Sequence, residues 1–219
     1  MAKPAPSAPL IVLEGSADFT SESVIAKELG YRAQLGADVA MSISAYYNDY
    51  YDVRSTSITP TTILPLFFQN NLEGETHGVE MSVDYRVCEW WRLHASYDPF
   101  KENIHVKSGQ QDINDALNEV ADPSHRYALR SSMDLPHRME LDVSLREVGP
   151  RAINNGSIIG IVPGYNEMDV RLGWHATEKL ELSIVGQNLL HDRHAEYGFP
   201  GATQVQIDRS VFGKIAWHF

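Results

Sequence analysis

The chain has 219 residues, 43% of them hydrophobic, with 18 Lys and Arg against 29 Asp and Glu and a formal net charge of −11. Such an acidic chain, with no clustered Lys and Arg, is not built to hold nucleic-acid phosphates. No apolar run approaches the ~20 residues of a membrane-spanning helix, and Cys88, the single cysteine, excludes an internal disulfide framework and a thiolate metal cluster.

In chain order, the Pro-rich start Met1–Pro9 leads into Leu10-Ile11-Val12-Leu13, a run too short for a signal-peptide core and without a small-residue cleavage site after it. No export signal is expected there, and residues 1–22 are expected to be an outer-loop remnant. From Ile25 onward the dominant pattern is alternation with a period of two, the signature of strands with one apolar and one polar face. The first strand sets Ile25, Lys27, Leu29, Tyr31, Ala33 and Leu35 against Glu28, Arg32 and Gln34, and turns at Gly36-Ala37-Asp38. In the second, Val39, Met41, Ile43, Ala45, Tyr47, Tyr51 and Val53 oppose Ser42, Ser44, Asn48 and Asp52.

The third runs from His77 to Val87 with Glu80, Asp84 and Arg86 on its polar side, and the fourth sets Trp91, Leu93, Ala95 and Tyr97 against Arg92, His94 and Asp98. The turn between them is expected to hold Cys88. A fifth strand has Tyr127, Leu129, Met133 and Leu135 opposite Arg126, Arg130 and Asp134, and a sixth has Met139, Leu141, Val143 and Leu145 opposite Glu140, Asp142 and Arg146. A seventh alternates Met168, Val170, Leu172 and Trp174 with Glu167, Asp169 and Arg171. The eighth alternates Leu180, Leu182 and Ile184 with Glu181 and Ser183. The ninth closes the chain, with Val211, Ile215, Trp217 and Phe219 on one side and Ser210, Phe212, Lys214, Ala216 and His218 on the other.

A helical reading of these segments would bury Glu, Arg and Asp at every second position, so strand is the expected state. One exception is Asp112–Val120, where Ile113, Ala116, Leu117 and Val120 have helical spacing and Asp122-Pro123 would end a short helix. Connections alternate strictly in length. Gly36–Asp38, Cys88–Trp90, Pro136-His137 and Ala176–Lys179 are tight, whereas Ser55–Asn70, Pro99–His125, Gly149–Val162 and His191–Gln204 are long and polar. Short turns at one rim, long loops at the other and aromatics near strand ends are the pattern of an outer-membrane barrel. The expected fold is all-β, an antiparallel up-and-down meander of about nine strands forming the C-terminal part of a transmembrane β-barrel. The alternative is a small self-contained β-barrel or sandwich with a structural or binding role and no transport.

Several segments resemble the barrel of TonB-dependent outer-membrane receptors. They are Ser23–Arg32, Glu75–Met81 with its Gly78-Val79-Glu80, Gly186–Asp192, Tyr165 with Asp169–Leu172, and the closing Phe219. The resemblance covers residues 23–219 and implies the C-terminal barrel portion of a receptor in the outer membrane. Its implied cargo is a ferric siderophore or a similar bulky nutrient, its energy source TonB acting through a plug that these residues do not supply, and its outer loops the capture surface. By the same resemblance Val211, Ile215, Trp217 and Phe219 form the signal read by the outer-membrane assembly machinery, and the lipid bilayer surrounds the wall.

No cofactor and no enzymatic role are implied, since no nucleophile, phosphate-loop or paired catalytic carboxylate pattern stands out. His191 and His194 lack the further ligands of a zinc site and are read as structural or exposed. Asp112, Asn114, Asp115, Asn118 and Glu119 lack the spacing of a calcium loop and are read as a polar outer loop. Charges on the polar faces are expected to face the lumen and to pair across strands.

Overall fold

The computed structural model describes residues 13–59, 63–154, 159–198, 201 and 204–219. Nine strands form one antiparallel meander: β1 Ser23–Leu35, β2 Val39–Thr59, β3 Ile63–Cys88, β4 Trp91–Val106, β5 His125–Leu135, β6 Met139–Val148, β7 Tyr165–His175, β8 Leu180–Gln187 and β9 Ser210–Trp217. Each pairs with its sequence neighbours, so the order in space is the order in the chain. The sheet is not closed: β1 and β9 are its two ends.

Register carries the alternation across the body of the sheet, with shifts between Arg86 and Cys88 and beyond Tyr50. Leu141 pairs with both Met133 and Leu172, Leu172 with Ile184, and Leu182 with Ile215, so the apolar positions of β5 to β9 make one continuous outer face. On β1 to β4 the same holds for Tyr31, Ile43 and Met81, and for Ala33, Met41, Val83 and Ala95. Much of that face is open, and no second layer of sheet or helix covers it among the described residues.

The four tight turns lie at one rim, at Gly36–Asp38, Glu89-Trp90, Pro136–Arg138 and Ala176–Lys179. Gly36 takes φ 66°, and in the three-residue turn His137 and Arg138 take 62° and 61°, the left-handed values that reverse a chain this sharply. Cys88 is the last residue of β3 and pairs with Trp91, so it flanks its turn where the sequence pattern put it inside. Trp90 and Trp91 stack at this rim with ring centroids 6.2 Å apart.

The opposite rim departs from expectation in instructive ways. Ser55–Asn70 is not a polar loop. β2 and β3 continue as a paired hairpin to Thr59 and Ile63, beyond a bulge at Tyr50/Val53 where Asp52 adopts φ 57°. Thr, Ile and Phe are strand formers, and a Ser/Thr-rich hairpin standing above the wall needs no apolar face to stay in register. Likewise β4 runs to Val106, so the loop expected from Pro99 starts at residue 107.

The expected helix at Asp112–Val120 is a chain of turns. Asp115 and Ala116 take φ 51° and 60°, which no right-handed helix accommodates. Asp112 explains the choice: one carboxylate oxygen accepts the Thr56 amide at 2.7 Å and the other accepts Asn114 and Ala116 amides at 3.1 Å, an Asx arrangement that competes with helix. Ala116, Val53 and Leu72 make a small buried core beside Tyr50, Ile104 and Val106 that fastens this loop to the hairpin base.

The two remaining long connections carry short hairpins of their own, Arg151–Asn154 with Ile159–Val162 and Arg193–His194 with Ile207–Asp208. Residues Leu13–Glu14 run parallel to Leu66–Phe67, and Asn70 binds the backbone of Thr20. Residues 1–12 of the stretch expected to be an outer-loop remnant lie outside the described residues.

The facing of the wall is testable. Leu141→Arg or Leu182→Arg puts a cation on the outer face near mid-height, at a cost on the order of 2–4 kcal/mol in hydrocarbon, and should block insertion into a bilayer. Ser144→Arg, on the inner face opposite Asp169, should insert normally. Heat-modifiable gel migration of the inserted chain reads both, and equal behaviour of the two classes contradicts the assignment.

Candidate functional site

The inner face divides by height. Toward the turn rim most inward charges of β3 to β8 are spent on one another, while Arg32 on β1 and Lys214 on β9 make no ion pair among the described residues. Arg92 makes a bidentate pair with Asp134 at 2.7 and 3.0 Å, and His94 lies 2.8 Å from Asp84. Arg171, on β7, reaches Glu140 at 2.8 Å and Asp142 at 3.0 Å on β6 and Glu181 at 2.5 Å on β8, and so ties three strands through one guanidinium. Gly173 makes room for it: a Cβ there would meet that guanidinium at 2.6 Å. Ser132 adds a hydrogen bond to Asp142 at 2.7 Å, and His175 approaches Glu140 at 2.8 Å.

At the outer end of β7 a second knot fastens the connection to β9. Glu167 is fully buried. Its carboxylate accepts the Leu190 amide at 3.1 Å and lies 2.9 Å from His191 Nδ1 and 3.2 Å from His194 Nδ1. Asn188 is held by Asp169 and Arg146, and the ring of His194 packs on Tyr165 with centroids 4.4 Å apart. The two histidines thus act on a buried carboxylate, a network their sequence spacing alone did not reveal because Glu167 is some twenty residues away.

Toward the outer end of β2 to β5 lies an open cleft. A cavity of about 420 Å³ is lined by Tyr46, Glu80, Asp98, Phe100, Asp122 and Arg126. It adjoins another of about 380 Å³ that shares Tyr46, Phe100 and Asp122 and adds Glu22, Glu102 and Glu119. Gly78 shapes the floor, since a Cβ there would meet the Tyr46 hydroxyl at 2.5 Å and the Pro99 carbonyl at 2.7 Å. The hydroxyl end of Tyr46 therefore lies against the wall at Gly78, and the residue lines the cleft. Glu80, Asp98 and Arg126 make no ion pair with any described residue, in contrast to the charges below them. Burial pushes the Glu102 carboxyl above its ordinary value, and the Asp122 amide that it accepts at 2.9 Å opposes this only in part.

Of the residues expected to pair across strands, Asp84, Arg92, Arg130, Asp142, Arg146, Asp169 and Arg171 do so, while Glu80, Asp98 and Arg126 line the cleft instead. Their chemistry was visible in the sequence. Their lack of an ion pair was not, because Asp98 and Arg126 stand directly opposite in register and the side chains, not the strand pairing, leave them unjoined. On β9, Val211, Ile215 and Trp217 point outward and are 67%, 73% and 61% exposed, and Phe219 follows the strand, also exposed. The group His191 to His194 and the acidic loop around Asp112 hold backbone and carboxylate partners, and no set of three or more described residues has the geometry of a metal site.

The family profile described as "TonB dependent receptor-like, beta-barrel" matches residues 5–189. Among curated relatives, the iron-regulated outer membrane virulence protein of Vibrio cholerae is 24% identical over 201 residues, which are 84% of this chain and 30% of that protein. Among solved structures, the ferric yersiniabactin uptake receptor FyuA of Yersinia pestis aligns over 90% of this chain and 30% of its own, with 19% identity and a TM-score of 0.65. The FrpB iron transporter of Neisseria meningitidis aligns over 94% of this chain and 33% of its own, with 12% identity and a TM-score of 0.76. The chain thus spans about 30% of the length of the curated relatives it matches.

The Arg171 knot predicts a measurable stability effect. Arg171→Met leaves Glu140, Asp142 and Glu181 without their shared cation and should cost on the order of 2 kcal/mol, between the values for exposed and fully buried pairs. Adding Glu181→Gln should recover part of the loss in the denaturant midpoint. An unchanged midpoint in Arg171→Met would mean that the knot does not brace the wall.

Proposed function

We propose, since this chain belongs to the TonB-dependent receptor-like β-barrel family, that it forms part of the wall of an outer-membrane receptor that takes up a bulky iron chelate. The observation that carries the reading is the division of the inner face of β3 to β8: charges braced in pairs at the turn end, and charges without an ion pair beside aromatic rings in an open cleft below the outer loops. A wall meant only to be stiff would pair them all. A wall that hands on a ligand leaves donors, acceptors and ring faces unspent where the ligand first arrives.

The hairpin of β2 and β3 above the bulge, the loop 107–124 and the connection 188–209 are the proposed capture surface. Carboxylates outnumber the single guanidinium of Arg126 in the cleft, so it favours a chelate that offers hydrogen-bond donors or positive charge. Energy for release comes, in this reading, from TonB acting through a plug that fills the complete receptor. The bilayer meets the outer face. Val211, Ile215, Trp217 and Phe219 are proposed to be the strand that the outer-membrane assembly machinery reads, an assignment supported by their outward exposure. The reading is of a receptor and not of an enzyme. The self-contained sandwich is disfavoured because nothing described covers the apolar face.

The test is uptake of iron-55 presented as hydroxamate, catecholate and carboxylate chelates to an iron-starved host carrying the receptor. Uptake should require TonB, and Glu80→Gln with Asp98→Asn should lower it about tenfold or more for the chelate taken up, a change equal to the loss of one charge-assisted contact or more, at an unchanged level in the outer membrane. Uptake that is indifferent to TonB, or to both substitutions, contradicts the proposal.

A further inference from the structure

The outer face of β1 to β4 has a sharp boundary. Below it every outward residue is uncharged: Leu29 to Leu35 on β1, Val39 to Ala45 on β2, Val79 to Val87 on β3 and Trp91 to Pro99 on β4, taken at alternate positions. The next row out is a single cross-strand ladder, Lys27 paired with Tyr47, Tyr47 with His77, and His77 with Lys101. The row beyond it, Ile25, Asp49, Glu75 and Asn103, holds the first outward carboxylates. Apolar residues, then cations, then acids thus follow one another along the wall.

We propose that the Lys27–Tyr47–His77–Lys101 row seats the phosphate of a lipid headgroup in the leaflet that meets the outer end of the wall. This rests on the outer-membrane placement of the wall and is independent of the chelate that the cleft takes. Phosphates lie where hydrocarbon gives way to headgroup, and there a lysine ammonium gains most from an anion while its stem stays on the apolar side. Lys27 and Lys101 are three strand spacings apart, roughly 14 Å, wide enough to flank one headgroup with the two rings between them.

Lys27 is 63% exposed along its side chain, 2.9 Å from Asp49 and over the Tyr47 ring at 5.2 Å. Tyr47 stacks on His77 at 6.1 Å, and His77 Nδ1 is enclosed without a hydrogen-bond partner. Lys101 is exposed and makes no ion pair among the described residues. Of the facing acids, Asp49 pairs with Lys27, and Glu75 accepts from Asn103 at 2.8 Å but keeps its charge beside Tyr47, so both compete for the row and Lys101 is its cation without an ion pair. Glu73 and His105 stand a further row out and pair loosely with each other at 3.9 Å.

The experiment inserts the chain into phosphatidylcholine vesicles doped with phosphatidylglycerol and counts, by native mass spectrometry, the phosphatidylglycerol that stays bound. Lys27→Gln with Lys101→Gln should lower retention about tenfold, following the near-fivefold contribution of each lysine at an anionic surface less the share Asp49 already neutralises. Asp49→Asn should raise retention by freeing Lys27, and Lys179→Gln, in a turn at the far rim, should change nothing. Equal retention by the double variant, or an equal loss of phosphatidylcholine, overturns the proposal while leaving the barrel reading intact. Failure of the native chain to insert overturns both.

Discussion

In hydrocarbon a backbone amide has no water to bond, so a chain that crosses a membrane as strands must give each N–H and C=O a partner on a neighbouring strand. The meander meets this demand for β2 to β8, each paired on both sides, and leaves β1 and β9 as the ends of an open sheet. Everything else follows from the ladder. Because facing alternates with a period of two and the register shifts only at the Arg86/Cys88 turn end and beyond Tyr50 on the second strand, one set of residues is committed outward and the other inward through the body of the wall.

That commitment makes the outer face a solvent-matching surface and frees the inner face for chemistry. Inward charges close to the tight turns neutralise one another across strands, with Arg171 bridging three of them. Higher up, the bulge at Asp52 releases the β2–β3 hairpin from the wall, and Lys107 crosses over to bond Asp52 and the Asn70 carbonyl, drawing the loop 107–124 over the same region. The cleft with Tyr46, Phe100 and Arg126 lies directly beneath this roof. A braced wall below an open, polar and aromatic cleft suits a receptor whose outer loops gather a ligand and whose inner surface passes it on.

The wall was legible in the sequence because membrane strands write their facing into every second residue, and two of the four tight turns mark themselves with Gly36 and Asp38 or with Pro136. The outer rim was not. The Ser/Thr-rich stretch Ser55–Thr59 looks like loop by composition, yet its backbone is paired, because above the apolar band a strand needs hydrogen bonds and not an apolar face. Ile113, Ala116, Leu117 and Val120 imitate a helix, but the Asp112 carboxylate captures the amides that a helix would use. The knot around Glu167 joins residues remote in sequence, and Asp98 and Arg126, although directly opposite in register, make no ion pair among the described residues, a matter of side-chain placement that no strand pattern records.

The central claim is that alternate residues of one strand face lipid and lumen. Spin labels placed singly at Leu141, Val143, Leu145, Asp142, Ser144 and Arg146 on a Cys88→Ser background, in vesicles, measure it directly through collisions with oxygen and with a water-soluble paramagnetic reagent. The account predicts a two-residue period across β6, with oxygen dominating at Leu141, Val143 and Leu145 and the aqueous reagent dominating at Asp142, Ser144 and Arg146. A profile without that period, or with the water-soluble reagent reaching both sets alike, would contradict it.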